Sequence, residues 1–507
     1  MNLVDSVRAS TNSTQTQNGA SSNKSTLDAC LDMFSRIGAL RHDVVSALKL
    51  FKDALVENPV LAVALLFYTR DIRNGMGERN IFRVCMDFLL TAKNRDCQDI
   101  YNAVIGFTPN YGRWDDVIRH YELNATVRQK VKHHLSLDLA ASELGQECTL
   151  LGKWLPSLTA SNRTQKALAK AICHDLGWTQ KQYRKNLRKL REHLNVVESK
   201  MCSGRWEEID YAAVPSQAML RLRSAFGKHD QERFNTYINS VEKGEAKINA
   251  GTLTPDQIIK QIMQDKDQSA GDPALNALWD NLPTFGEPQD TIVMADVSGS
   301  MYDEFDSIFV SIALAMYMAE RNVSGHWQNK FMTFTDEPAL EVINPLNSID
   351  QKLEALSSAD WGMSTNIEGA VKTLIDSAVE AECELPDNLV IVSDMEFNAA
   401  TDNYYGNSPT NLDAMRTHAE MAGLTLPTIV FWNVCSRGNQ VPATKNDDGV
   451  ILISGRSPTI LSMAFSNDYN PESFMKAAVL DNERYAPIVN AIDKLNLSFN
   501  SWGVKAP

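Results

Sequence analysis

The sequence has no C-x-x-C pair and no two histidines at metal-ligand spacing; its eight cysteines, at 30, 85, 97, 148, 173, 202, 383 and 435, are scattered. That pattern excludes a zinc site of the usual kind and offers no disulfide frame, so the thiols read as buried groups in a reducing compartment. Long apolar runs are missing as well. The longest, PVLAVALLFY at 59–68, is about half a membrane span, and the expectation is a soluble, cytoplasmic protein with no membrane partner. There is no Gly-rich P-loop, no nucleophile elbow and no H-E-x-x-H, so no catalytic set is recognisable and no enzyme is expected. The N-terminal stretch SVRASTNSTQTQNGASSNKST lacks the apolar core of a signal peptide. Its polar composition predicts a flexible tail over 1–25.

What is present is a large chain of uneven charge. At 507 residues and 44% hydrophobic, it can bury the cores of two or three domains. The net charge of -14 hides an asymmetry: residues 41–250 carry 32 Lys and Arg against 24 Asp and Glu, whereas 251–507 carry 14 against 36. A basic first half joined to an acidic second half suggests two surfaces with different partners; a merely well-solvated acidic half is the plainer alternative.

From 26 to 250 apolar residues recur every three or four positions, as in LDACLDMFSRIGAL, DVVSALKLFKDAL, PVLAVALLFYTRDI and NIFRVCMDFLLTA. This predicts antiparallel helix pairs stacked without a clean internal repeat. Two corners, YTRDIRNGMGERNIFR at 68–83 and YGRWDDVI at 111–118, mix balanced charges with glycine and read as structural turns between helices. Residues 251–289 are expected to connect the domains around one short helix. From 290 to 470 short apolar runs (TIVMADV, KFMTFT, NLVIVSDMEF, TIVFWNV, GVILISG) alternate with helical stretches. That is the pattern of a doubly wound, mainly parallel sheet, with 471–507 as a C-terminal helical extension.

The run TIVM leads into ADVSGSM, where Asp296, Ser298 and Ser300 set oxygen donors at alternate positions, an arrangement that suits a hard divalent cation. In a doubly wound sheet ligands bind at the carboxyl ends of the strands. Asp394 in SDMEF takes the matching place after LVIV, and Thr365 in GMSTN opens a helix nearby. Two carboxylates at one point repel unless a cation or a proton lies between them. Mg²⁺ is the expected ion, with Mn²⁺ or Ca²⁺ as alternatives. The competing reading is that Asp296 caps a helix and the serines satisfy a turn. Asp303, Glu304 and Glu396 lie close in sequence, but acidic residues are common throughout this half.

In the basic half, TQKQYRKNLRKLREHL at 179–194 places Lys181, Arg184, Lys185, Arg188 and Lys189 on one helix face, with Tyr183, Leu187, Leu190 and Leu194 on the other. Upstream, Lys153, Arg163, Lys166 and Lys170 add further cations. Five cations on one stripe repel one another and gain most when an anion covers them. RNA phosphates would give salt-dependent, largely sequence-independent binding, with Tyr183, Trp154 and Trp178 as candidate stacking residues. A solvated helix face, or a helix lying on a membrane, accounts for the same pattern.

The donors Asp296, Ser298, Ser300, Thr365 and Asp394 together resemble the metal-ion-dependent adhesion site of von Willebrand factor A domains. LLFYTRDIRNGMGERNIFR, YGRWDDVI, GKWLPS and VPSQAMLRLRSAF, followed by that site, resemble the TROVE family of Ro-type ribonucleoproteins and, more closely, TROVE-like proteins of plants, protists and large viruses. The resemblance implies an all-α, HEAT-like helical-repeat ring or horseshoe that holds RNA, followed by a Rossmann-like α/β A domain. That domain would hold a cation with one coordination position open to an acidic residue of a protein partner. The expected function is a non-catalytic RNA-binding component, oligomeric or not, in a cell or virion. The alternative is an assembly protein that uses the metal for adhesion without RNA, and a metal-dependent hydrolase is a remote third.

Overall fold

The computed structural model describes residues 11–264, 271–284, 290–302, 306–323, 325–333, 338–357, 365–399, 410–460, 470–495 and 497. Residues 1–10 of the expected tail, Asp303, Glu304, the Gly362–Ser364 part of GMSTN, and 498–507 lie outside them.

The first half is helical. Its longer helices are Ala29–Arg36, Val44–Glu57, Pro59–Arg70, Arg79–Thr91, Arg95–Val104, Ala125–Glu143, Arg163–Asp175, Gln180–His193, Ser216–His229 and Gln231–Glu242, with shorter pieces between. Boundaries follow local chemistry. Asn58 accepts a hydrogen bond from Leu61 N at 3.1 Å and Pro59 takes the first helical position, a start signal that satisfies one orphan amide and fixes φ. Helix 44–57 buries Ala47, Leu50, Phe51, Ala54 and Leu55, the three-and-four spacing of a single stripe. Helix 59–70 is buried on every side from Leu61 to Arg70 and is flanked by 44–57 and 79–91. Phe67 meets Phe82 and Tyr111 edge-on at 5.4 and 5.2 Å. Each large apolar side chain shut away here contributes roughly 1.5–3 kcal/mol.

The two charged corners pair with each other. Asp116 takes Arg70 Nη2 at 2.7 Å, Arg70 Nε at 2.9 Å and Arg83 Nε at 2.6 Å, while Arg83 also holds Asp115. Gly112 is required beside them: a Cβ there would sit 2.7 Å from Arg70 Nε. At Arg70, Arg83 and Arg113 these are structural corners, with the guanidiniums paired internally, while Arg73 and Arg79 are exposed.

In the second half lies a six-stranded sheet. After β1 (Ser13–Gln15) and β2 (Ser21–Asn23) come β3 (Thr291–Ala295), β4 (Lys330–Thr333), β5 (Ala339–Val342), β6 (Asn388–Ser393), β7 (Thr428–Asn433) and β8 (Val450–Ser454). The order is β5-β4-β3-β6-β7-β8, parallel except for β5. Strands β3, β6 and β8 are buried along their whole length, because helices cover both faces. Strand β5 escapes a reading based on apolar runs, since its edge position leaves it half exposed.

The two halves share one core. Helix 29–36 packs on β8, Ser454 Oγ donates to Phe34 O at 2.9 Å, and Phe34 meets Phe474 at 6.1 Å. Gly38 lies so close to Gly455 that a Cβ would come within 2.8 Å of its Cα. At the C-terminal end, helix Ala486–Asp493 returns onto helix 59–70, and Arg484 pairs with Asp71.

Two expectations need correction. Residues 251–284 are more than a loose connection: helices Pro255–Gln264 and Pro273–Asp280 bury Ile258, Ile259, Ile262, Leu275, Leu278 and Trp279. Nor are 11–25 a flexible tail. Strands β1 and β2 form an antiparallel hairpin against the sheet end, because a polar segment unable to build its own core can still hydrogen-bond to one already built. Among the described residues no helix is long and apolar enough to cross a membrane.

Candidate functional site

Strand order reverses between β3 and β6: the chain leaves β3 toward β4 and returns on the other side. Such a switch point opens a crevice at the carboxyl ends. Asp296 follows β3 and Asp394 follows β6, so both carboxylates enter it. Ser298 N and Ser393 Oγ hold the Asp296 carboxylate at 2.9 and 2.6 Å, and the Ser298 and Ser300 hydroxyls lie 3.0 Å apart. Asp394 accepts from Glu396 N at 3.1 Å. Thr365, two residues before helix Ile367–Glu380, donates to Glu396 O at 2.9 Å. Asp296, Ser298, Thr365 and Asp394 are buried and Ser300 is partly so. The five predicted donors thus converge on one sheet end.

Burial drives both carboxyl groups above the usual carboxylate range, and for Asp296 the charge of Asp394 adds to it. No hydrogen-bond donor among the described residues satisfies Asp394 Oδ2, and the Arg437 guanidinium stands 3.5 Å from it. A buried oxygen without a hydrogen-bond donor beside a second carboxylate, in an all-oxygen set, fits a hard divalent cation. A second group, Asp28, Cys30 and Glu57, also comes within ligating distance. Its chemistry is already spent: Asp28 and Glu57 accept the first amides of helix 29–36, and burial pushes the Cys30 thiol well above its ordinary range.

The basic candidates divide. Arg163, Lys166, Lys170, Lys181, Arg184 and Lys185 are exposed, on helices 163–175 and 180–193. Lys153 lies over the Trp154 ring at 5.8 Å. Arg188 pairs with Glu192 and Lys189 with Glu143, both at 2.9 Å. Tyr183 is no stacking platform: it is fully buried and its hydroxyl donates to Pro156 O. Trp154 already stacks with Arg113 at 4.2 Å, and Trp178 is half-buried beside Tyr183.

Arg184 and Arg188 line a cleft of about 460 Å³ with Arg191 and Arg205, two cations that stripe counting on one helix missed. Hydroxyls of Ser157, Ser199 and Ser203 join them, and Glu192 is the one carboxylate in the lining. Arg191 is pinned by Gly152 O, Leu155 O and Ser157 Oγ at 3.2, 2.8 and 3.1 Å, and burial lowers its pKa. The i, i+4, i+7 spacing of 184, 188 and 191 was the available signal; Arg205 comes from another element and carried none.

Two family profiles match. The one described as "Domain of unknown function (DUF7788)" covers residues 290–491, and "Domain of unknown function (DUF2828)" covers 16–95 and 121–282. The chain is 28% identical over 505 residues to "Uncharacterized protein L728" of Acanthamoeba polyphaga mimivirus, across 91% of this chain and 86% of that protein. Among solved structures it is similar to the crystal structure of the Deinococcus radiodurans RO (RSR) protein, at 13% identity and a TM-score of 0.36. That alignment spans 87% of this chain and 92% of the other, and a likeness so loose carries no argument about function.

Proposed function

We propose that the protein is a non-catalytic RNA-binding component whose helical half holds single-stranded or structured RNA by its phosphates. The observation that carries this reading is the cleft beside helix 180–193, lined by four arginines, three serines and one carboxylate, with Arg188 and Arg205 paired to Glu192 and Glu208 at its edge. Guanidiniums match phosphate oxygens in pairs and stay charged at any working pH. The exposed Arg163, Lys166, Lys170, Lys181 and Lys185 extend the positive surface along which a backbone would run. The test is fluorescence anisotropy of a labelled single-stranded RNA across a salt series. Binding that weakens steeply as salt rises supports the reading, and no binding at low salt removes it.

A second reading concerns the sheet end, and the undonated Asp394 Oδ2 favours it. Here Asp296, Ser298, Ser300, Thr365 and Asp394 hold Mg²⁺, in the manner of a von Willebrand factor A domain. The cation would supply an open coordination position for an acidic side chain of a protein partner. Loss of a partner complex on Asp296→Ala, with RNA binding intact, would assign partner binding to this end alone.

A further inference from the structure

Four of the five donors at the sheet end are buried, and the chain's own N-terminal hairpin packs against one of them. At its turn, Asn18 Nδ2 donates to Thr365 Oγ1 at 3.1 Å and to Glu396 O at 2.6 Å. Gln17 N donates to Glu396 Oε2 at 2.7 Å, and Thr16 Oγ1 to Phe397 O at 2.7 Å. Gly19 bridges to Asn398, Ser21 to Thr410 and Asn23 to Val441. The hairpin therefore touches one predicted metal donor directly and the segment just after another.

We infer that the sheet end around Thr365 and Glu396 is a docking surface for an extended polar segment, occupied in cis by residues 13–23, which thereby mask the metal centre. The proposal rests on the metal reading above.

Three features make this cover detachable. Strands β1 and β2 have three residues each, too short to persist alone. Between 13 and 23 only Ala20 is apolar, and it is 1% exposed; the rest of the hold is hydrogen bonding, which water can replace. Leu27, between the hairpin and helix 29–36, has φ +69°, a left-handed conformation that strains a leucine at the junction. Its departure would uncover the Thr365 side of the site to an outside acid.

The test uses the full chain and its Thr16→Val/Asn18→Ala variant. In metal-free protein, amide hydrogen exchange across 296–301 and 365–369 is expected to quicken at least tenfold in the variant. Exchange of helix 59–70 should stay unchanged, which shows that the fold is intact. Mn²⁺ added to both proteins should give a larger water-proton relaxation enhancement in the variant, because more water reaches the ion. Exchange that does not change overturns the masking, even if Mn²⁺ binds. If exchange quickens but Mn²⁺ binds neither protein, the docked cover is supported and the metal reading is the one that fails.

Discussion

Asp116 and Asp394 are both carboxylates whose side chains are fully buried, and each faces arginine, yet their surroundings act in opposite directions. Burial alone would raise Asp116, but Arg70 and Arg83 overcome it and hold the group below the usual range. Asp394 stays raised by burial, with Arg437 3.5 Å away and Asp296 raised beside it. The helical corner sets two close guanidiniums on one carboxylate, whereas the sheet end sets two carboxylates against a single guanidinium 3.5 Å from Asp394. A buried acid with all its donors supplied is architecture; one left without them is where a ligand can be sought.

The largest effect that would sharpen this contrast is on stability without metal. Asp116→Ala strands Arg70 in the core and should cost about 3–5 kcal/mol. Asp394→Asn removes like-charge repulsion from Asp296 and should stabilise the chelated protein by on the order of 1 kcal/mol. Urea denaturation in EDTA measures both, and equal losses would break the comparison. Next in size, Mg²⁺ or Mn²⁺ at a hundredfold excess over its Kd should stabilise the native protein by about 2.7 kcal/mol. That gain should vanish in Asp296→Ala, as read by thermal unfolding with and without the ion.

A smaller effect follows from Asp116 titration. Its folded pKa lies below its unfolded one, so the unfolded chain takes up protons first as pH falls under about 3.9. The stability it contributes is present above that pH and is lost as pH falls through the folded value. Asp116→Asn should therefore flatten this acid limb by up to about 1.4 kcal/mol per pH unit, measured as the urea midpoint between neutral pH and pH 3.

Much of the fold was readable because burial imposes a period. The stripe Ala47–Leu55 and the all-apolar β3 and β6 follow from the side of each element that faces the core, and Asp296 and Asp394 were found because they end such runs. Hairpin 13–23 was not readable: its partners, Thr365, Glu396 and Val441, lie hundreds of residues away, and a Ser/Thr/Asn run has no apolar period. Arg205 was missed for the same reason, since a cleft built from separate elements has no spacing. Tyr183 lies in the core with Leu187 and Leu190, as its place on the apolar face implies, which removes it as a stacking candidate.

If the arginine cleft holds RNA phosphate, neutralising or reversing its charge must weaken binding. The most direct measurement is equilibrium binding of one labelled single-stranded RNA to the wild-type chain and to Arg184→Glu/Arg188→Glu, at two salt concentrations. The variant should lose at least tenfold in affinity at low salt, about 1.4 kcal/mol, and show a shallower salt dependence. Equal affinity and equal salt dependence in the two proteins would contradict it.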